Sequence, residues 1–278
     1  MIFILIPIHN RKELTLACLA SFAKQTRTDR QFVIVDDSST DGSGEAVGVQ
    51  YPSATIIRGT GDWWWTKSMN EGMHSILQKA QPGDFVLTIN NDVEVGPDYL
   101  QKLVETSERR GRALAGSLVK NLYDGSIQDA GVQARWDKFF FPKLEYDQTK
   151  KENGRIDALA GRGVLIPIEV FQKIGLYSTT LPHYAADYDF SMRAKRRGFT
   201  LVISYEAVVY SKDQPGDKQY GFLEKYFSRR SSSNLRAQLI IAVVHAPSLS
   251  LKFQCVARIF ARFVRDLVVY VLKTLNIL

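Results

Sequence analysis

Four short polar clusters in the first hundred residues carry side chains capable of chemistry. They are Pro7-Ile8-His9-Asn10, Asp36-Asp37, Gly61-Asp62-Trp63-Trp64-Trp65 with Lys67 and Asn70 after it, and Asn90-Asn91-Asp92. An imidazole can stack on a base, and a carboxylate can accept from a base imide or a ribose hydroxyl. A further carboxylate can ligate a hard cation. Mg²⁺ is bound through one or two carboxylates plus substrate phosphates, so a single strong protein ligand is enough. Neither G-x-G-x-x-G after the first apolar run nor G-x-x-x-x-G-K-[ST] occurs, which removes the dinucleotide fingerprint and the P-loop.

The runs that must position these clusters alternate between strand and helix patterns. Ile2–Ile8, Phe32–Val35, Ala54–Ile57 and Phe85–Ile89 read as strands. Helices are expected over about Arg11–Gln25, with Asn10 as N-cap, and over Thr66–Lys79, with another opened by Gly96-Pro97. The alternation predicts an α/β chain with a Rossmann-like, mostly parallel central sheet flanked by helices. Ligands in such sheets sit beyond the carboxyl ends of the strands, and each polar cluster follows a strand. Simpler roles stay open. Asp36 and Asp37 also suit a turn, His9 could cap the first helix, and Lys67 could be solvated. The three tryptophans cannot all share one face, so at least one belongs to the core while another is free to stack on a ring.

At 278 residues, with 45% hydrophobic and 23% charged side chains, the chain is a folded globular protein. Two cysteines, Cys18 and Cys255, make neither a disulfide framework nor a zinc site, which favours a reducing compartment. The opening Met-Ile-Phe-Ile-Leu-Ile-Pro reads as a strand rather than a signal peptide. The uncharged stretch Ala237–Leu251 has 15 residues, short of the ~20 that a spanning helix needs. Of the net charge of +7, residues 218–278 carry ten Lys/Arg against Glu224 and Asp266, which leaves the first 217 residues close to neutral. A basic tail points to an anionic surface as partner. No basic stripe interleaved with aromatics appears in the body, so nucleic acid is not expected.

The order of these pieces resembles a family 2 glycosyltransferase with the GT-A fold. The matching segments are Ile6-Pro7-Ile8-His9-Asn10-Arg11, Val35-Asp36-Asp37-Ser38-Ser39-Thr40-Asp41-Gly42 and Asn90-Asn91-Asp92-Val93. Two later ones are Ala160-Gly161-Arg162-Gly163-Val164-Leu165-Ile166-Pro167, and Tyr184-Ala185-Ala186-Asp187-Tyr188-Asp189-Phe190 leading to Arg193. The Trp-Trp-Trp-Thr-Lys segment is similar to that of rhamnosyltransferase-like members that build bacterial surface polysaccharides. The resemblance implies transfer of a sugar, with inversion, from a nucleotide-diphosphate donor to a hydroxyl of a glycan or lipid-linked acceptor. On that basis His9 and Asp37 would hold the nucleobase, with Pro7, Asn10 and Asp36 shaping the pocket. Asp92 would bind Mg²⁺ or Mn²⁺ bridging the diphosphate, with Asn91 beside it, and Lys67 and Asn70 would lie along the nucleotide. Asp187 occupies the general-base position, and Trp64, Trp65 and Arg230 would touch donor or acceptor. Ala186 stands where the family commonly has Glu, and Ser211 where many members have a metal-assisting His.

The expected organisation is a GT-A domain over 1–217, with a nucleotide-binding half at 1–120 and an acceptor half at 121–217. A basic, amphipathic helical region follows at 218–278. From Leu251 onward, apolar residues recur at three- and four-residue spacing, interrupted by Arg258, Arg262, Arg265 and Lys273. This suits an interfacial helix on anionic lipid or a helix packed on the domain or a second subunit. The expected setting is therefore cytoplasmic, peripheral on the inner face of the cell membrane, with a homo-oligomer left open. A nucleotidyltransferase and a non-catalytic nucleotide-sugar binder are the competing functions. The first is disfavoured by the glycine-free Pro7-Ile8-His9-Asn10-Arg11, and the second is favoured by Ala186 and Ser211.

Overall fold

The structure is a computed structural model that describes residues 1–212, 220–229 and 231–275. The chain opens with strand β1 (Ile2–Ile8), helix α1 (Lys12–Ala23), β2 (Arg30–Asp36), α2 (Ser43–Gln50), β3 (Thr55–Arg58), α3 (Trp64–Leu77) and β4 (Phe85–Thr88). It continues through β5 (Val93–Val95), α4 (Tyr99–Arg109), β6 (Leu114–Asn121) and β7 (Ile127–Asp129), then a single 3-10 turn at Trp136–Lys138 and β8 (Glu152–Asn153). The rest comprises β9 (Val164–Pro167), α5 (Ile168–Ile174), α6 (Ala186–Arg196), β10 (Leu201–Ser211), α7 (Phe222–Phe227), α8 (Leu235–His245) and α9 (Leu249–Thr274).

The strands form one sheet in the order β3-β2-β1-β4-β9-β6-β10-β5, with β7 on β6 and β8 on β10. Strands β1 to β4 pair in parallel, as do β6 and β10. β9 lies antiparallel between β4 and β6, so those two run in the same direction. Six strands therefore share one direction, and their carboxyl ends form one edge. β9 runs the other way, so its amino end, preceded by Gly161–Gly163, reaches that same edge.

β1 shows why both faces are covered. Side chains alternate across a strand, and Phe3 and Leu5 join a core with Met69, Met73 and Phe190. Ile2, Ile4, Ile6 and Ile8 join the opposite core with Leu19, Phe22 and Leu103. A strand buried on both faces must be a continuous apolar run, which is what Ile2–Ile8 is. The C-terminal helices add to the first of these cores: Ile241 and Ala242 of α8 and Cys255 and Ile259 of α9 are buried in it.

Two local expectations change. The residue before α1 is Arg11 rather than Asn10, and the cap comes from neither: Asp41 Oδ2 accepts from the Lys12 amide at 2.9 Å. Pro97 lies outside α4, whose cap position is Asp98.

Candidate active site

The loops after β1 and β2 are stitched together. His9 Nδ1 is 2.7 Å from the Asp37 carbonyl and its Nε2 is 3.1 Å from Asn10 Nδ2. Asn10 takes a left-handed φ of 50°, a conformation Asn tolerates better than most residues. Its amide Oδ1 accepts from the Thr40 backbone N at 2.8 Å. His9 and Asn10 are exposed and Pro7 is half-buried, all three at the carboxyl end of β1.

The two aspartates divide their work. Asp36 is fully buried, paired to Arg58 at 2.6 Å through Oδ2 and accepting from the Ser39 amide at 2.9 Å through Oδ1. Asp37 accepts from two amides of the loop after β3, Gly61 N at 2.7 Å and Trp63 N at 2.9 Å. A methyl group on Gly59 would lie 2.5 Å from Asp37 Oδ1, so only glycine fits there. Arg58 and Gly59 were not singled out by the sequence. Their signal was position, immediately at the end of β3.

The tryptophans separate as geometry requires. Trp63 closes the Asp37 loop, and Lys67 Nζ sits 5.1 Å from its ring centroid. Trp64 takes a φ of 58° and packs edge-on to His183 at 6.0 Å. Trp65 packs on Tyr177 at 5.1 Å, and its Nε1 donates to Asn90 Oδ1 at 3.3 Å. Lys67 is exposed. Asn70 is buried and exchanges both amide hydrogen bonds with the Tyr177 backbone, at 2.9 and 3.0 Å. Asn91 is buried and donates to Thr15 Oγ1 at 2.9 Å. Asn70 and Asn91 thus hold the framework of the cleft rather than facing it.

Asp92 follows Asn91 back to the edge. Its Oδ2 pairs with Arg11 at 3.1 Å, and its carbonyl accepts from Lys212 N at 2.9 Å. Ser211, where the resemblance expects a metal-assisting His, is registered against Val93, the residue after Asp92. Among the described residues, no three His, Cys, Asp or Glu side chains gather as a metal cluster. Arg230 lies outside the described residues.

Asp187 stands in the first turn of α6, after Ala185 in the left-handed region (φ 66°). Its Oδ2 accepts from Gly161 N and its Oδ1 from Tyr188 N, both at 2.8 Å. Burial pushes its carboxyl above the usual Asp range, and these two amides only partly offset that. A methyl group on Gly161 would lie 3.1 Å from Trp65 Cζ2 and 3.6 Å from Asp187 Oδ2. Asp187, Gly161, Trp65 and Asn90 therefore form one contiguous wall that leads to Asp92, and Trp63 leads to Asp37. Ala186, where the resemblance expects Glu, is fully buried in the core.

Behind this wall, Asp189 Oδ2 pairs with Arg193 at 2.8 Å and Oδ1 with His245 Nε2 at 2.8 Å. His245 closes α8, 56 residues downstream. No sequence signal joined it to the acidic segment.

Comparison with known proteins places the chain in a family. The chain is 24% identical over 207 residues to the N-acetylglucosaminyl-diphospho-decaprenol L-rhamnosyltransferase of Mycobacterium tuberculosis, covering 66% of this chain and 67% of that one. It is 24% identical over 212 residues to the O-antigen biosynthesis protein RfbC of Myxococcus xanthus, covering 72% of this chain but only 16% of that longer protein. Among solved structures, GalNAc-T7 with UDP, GalNAc and Mn²⁺ superposes with a TM-score of 0.62 at 15% identity, over 99% of this chain and 58% of that one. Residues 1–349 of S. aureus TarS give 0.61 at 16% identity, over 93% and 70%. At such identities these two likenesses establish a fold of the GT-A kind. The sequence profile described as Glycosyl transferase family 2 matches residues 3–175, more than half of the chain, and the protein belongs to that family.

Proposed function

We propose that the protein is an inverting glycosyltransferase of bacterial surface-polysaccharide synthesis, moving a sugar from a nucleotide-diphosphate donor to a hydroxyl of a glycan or lipid-linked acceptor. The observation that carries this reading is the placement of Asp187. Its carboxylate sits at the carboxyl edge of the sheet, held by the Gly161 amide and raised in basicity by burial. It shares a wall with Trp65 and Asn90. A base must reach the proton it removes and have an affinity for it suited to the working pH.

In this reading the nucleobase lies between His9 and the Asp37 loop, with Pro7 and Asn10 at the rim and the buried Asp36, paired to Arg58, shaping the pocket from behind. Lys67 lies toward the diphosphate, and Trp64 and Trp65 flank the sugar or acceptor ring. The acceptor hydroxyl gives its proton to Asp187 as its oxygen bonds to the anomeric carbon. The bond from that carbon to the diphosphate oxygen breaks on the opposite face, which inverts the centre.

Asp92 is a hard oxygen donor with its Oδ1 not engaged by Arg11. One carboxylate fits a Mg²⁺ or Mn²⁺ ion whose other ligands are diphosphate oxygens and water. When bound, such an ion stabilises charge developing on the leaving diphosphate. A lipid-linked acceptor would place the reaction at the cytoplasmic face of a membrane.

The test pairs binding with turnover. UDP, GDP and dTDP are screened with Mg²⁺ or Mn²⁺ for thermal stabilisation, since a ligand of the native state raises its melting temperature. The matching nucleotide sugars are then assayed for transfer to a lipid-linked acceptor. Turnover that disappears in Asp187→Asn while nucleotide stabilisation persists supports the reading. Stabilisation without turnover by the wild type with any donor favours a nucleotide-sugar binder instead.

A further inference from the structure

Helix α9 spans Leu249–Thr274, roughly 39 Å at 1.5 Å per residue. Its inner face is fully engaged. Cys255 and Ile259 are buried, Asp266 pairs with Lys225 and Arg265, and Phe263 and Tyr270 pack on Phe222 at 5.4 and 5.2 Å. Six exposed apolar side chains run along its outer face: Leu249 is 70% exposed, Phe253 68%, Phe260 46%, Val264 52%, Val271 43% and, at the cap position just past the helix, Leu275 62%; Val268 and Val269 are exposed beside them.

The spacing of these six residues decides what kind of partner they suit. Leu249, Phe260 and Val271 are eleven residues apart in turn, and so are Phe253, Val264 and Leu275. An eleven-residue period is 3.67 residues per turn, close to the 3.6 of a straight helix, whereas the seven-residue seam of a left-handed coiled coil drifts by ~20° per heptad. The stripe therefore stays on one side of a straight helix along its whole length. A flat surface accepts such a stripe, and so does a right-handed supercoiled partner helix.

Charge selects among flat surfaces. Arg258 and Arg265, two turns apart and both exposed, follow one flank of the stripe. Asp266 is the only acid on the helix, and it is already met by Lys225 and Arg265. Arginine stems can lie along apolar surface while the guanidinium stays at the level of lipid phosphates. Among the described residues no helix is long and apolar enough to cross a membrane, so the arrangement suits a helix that lies on the surface.

We propose that the outer face of α9 docks on an anionic lipid bilayer, with its axis parallel to the membrane plane. The stripe enters the acyl boundary, and Arg258 and the one Arg265 amino group not engaged by Asp266 meet lipid phosphates. The proposal does not depend on the transfer reaction, because the docking face and the candidate active site share no residue.

Flotation of the full chain with vesicles tests it. The chain should float with vesicles of equal parts phosphatidylglycerol and phosphatidylcholine, and at least tenfold less with phosphatidylcholine alone. Arg258→Gln/Arg265→Gln should weaken binding to the anionic vesicles about thirtyfold, at a per-residue attraction typical of bases near such membranes. Phe253→Ser/Val264→Ser should abolish it at low and high salt. All four positions are exposed, and unchanged melting temperature and circular dichroism verify that each variant folds. Equal flotation with neutral and anionic vesicles, no flotation with either, or binding unaffected by both double variants overturns the proposal. So does a stable dimer in sedimentation velocity that Phe253→Ser/Val264→Ser converts to monomer, because the stripe would then cover a second copy of the chain.

Discussion

The indole Nε1 of Trp65 donates to Asn90 Oδ1 at 3.3 Å, joining the start of α3 to the loop that delivers Asp92. Gly161, whose amide holds Asp187, lies against the same ring. Two substitutions probe this wall. Gly161→Ala forces Trp65 to give way by a few tenths of an ångström, while Asp187 stays at ordinary contact distance and is disturbed through the wall and the Gly161 amide. Small misplacement of a reacting group can cost ~100-fold in rate, so a large fall in kcat with near-normal donor affinity is expected. Trp65→Phe keeps the ring contact with Tyr177 but loses the N–H donor. One such hydrogen bond is worth ~1 kcal/mol, so turnover should fall by only about fivefold. Steady-state kinetics with isothermal titration of the donor separate the two effects, and an unaltered kcat in Gly161→Ala would refute the wall.

Asp187 makes a prediction in pH. Its carboxyl is raised above the ordinary Asp value of 3.8, chiefly by burial. A base works when deprotonated, so the acid limb of kcat should lie above the ordinary carboxylate range. Asp187→Asn should cost ~10²–10⁴ in kcat. The stability effect has a definite sign. A raised folded-state pKa means that ionisation is disfavoured in the native protein, so Asp187's contribution is full at low pH and is lost as pH rises through the folded value. The Asn variant cannot ionise. Relative to it, the wild type should therefore lose stability as pH rises across the acid limb, which denaturant melts at several pH values would read directly. A gap that widens in the opposite direction would contradict the burial argument.

Much of this geometry was legible in the residues. The strands up to β4 and the loops after β1, β2 and β4 follow from apolar runs ended by polar turns, and a sheet of parallel strands places those ends together. The insertion of β9 antiparallel between β4 and β6 was not legible. Its run Val164–Pro167 has the same apolar character whichever way it pairs, and direction depends on neighbours distant in sequence. The roles of Asn70 and Asn91 were also not legible. An amide that faces a nucleotide and one that ties down a buried loop are the same residue, and only burial distinguishes them. Arg11 and Arg58, adjacent to the motifs, could have been found by asking what neutralises Asp92 and Asp36, since buried carboxylates are rarely left unpaired.

Arg11 and a divalent cation would compete for Asp92. The pair is 3.1 Å long, with Arg11 about half exposed, so the guanidinium can swing out toward solvent. Arg11→Gln should therefore lower the Mn²⁺ concentration that gives half-maximal transfer, while leaving the melting temperature nearly unchanged, because an exposed ion pair contributes ~0–1 kcal/mol. Asp92→Asn should raise that concentration at least tenfold. If metal titration curves for the wild type and Arg11→Gln coincide, Arg11 does not compete for the ion, and if that of Asp92→Asn coincides as well, Asp92 is not the ligand.

The buried Asp189–His245 contact ties α6, and with it Asp187, to the end of α8. Burial pushes the Asp189 carboxyl up, but hydrogen bonds from His245 and Arg193 outweigh it and hold the group below the usual range. A depressed carboxylate contributes stability that is present above its unfolded value of 3.8 and is lost as pH falls through the lower folded value. His245→Ala leaves Asp189 with Arg193 alone. Losing a hydrogen bond to a charged group costs about 1.5–3 kcal/mol, which for a chain of this size lowers the melting temperature by about 3–12 °C. That deficit should be full above the ordinary Asp value of 3.8 and should shrink as pH falls through the depressed folded value, where Asp189 protonates in both proteins. The variant should also lower kcat more than it raises KM, since it loosens the helix that carries the base without touching the donor pocket. A deficit that stays constant while pH falls until Asp189 is protonated in both proteins would mean that His245 acts by packing rather than through the carboxylate.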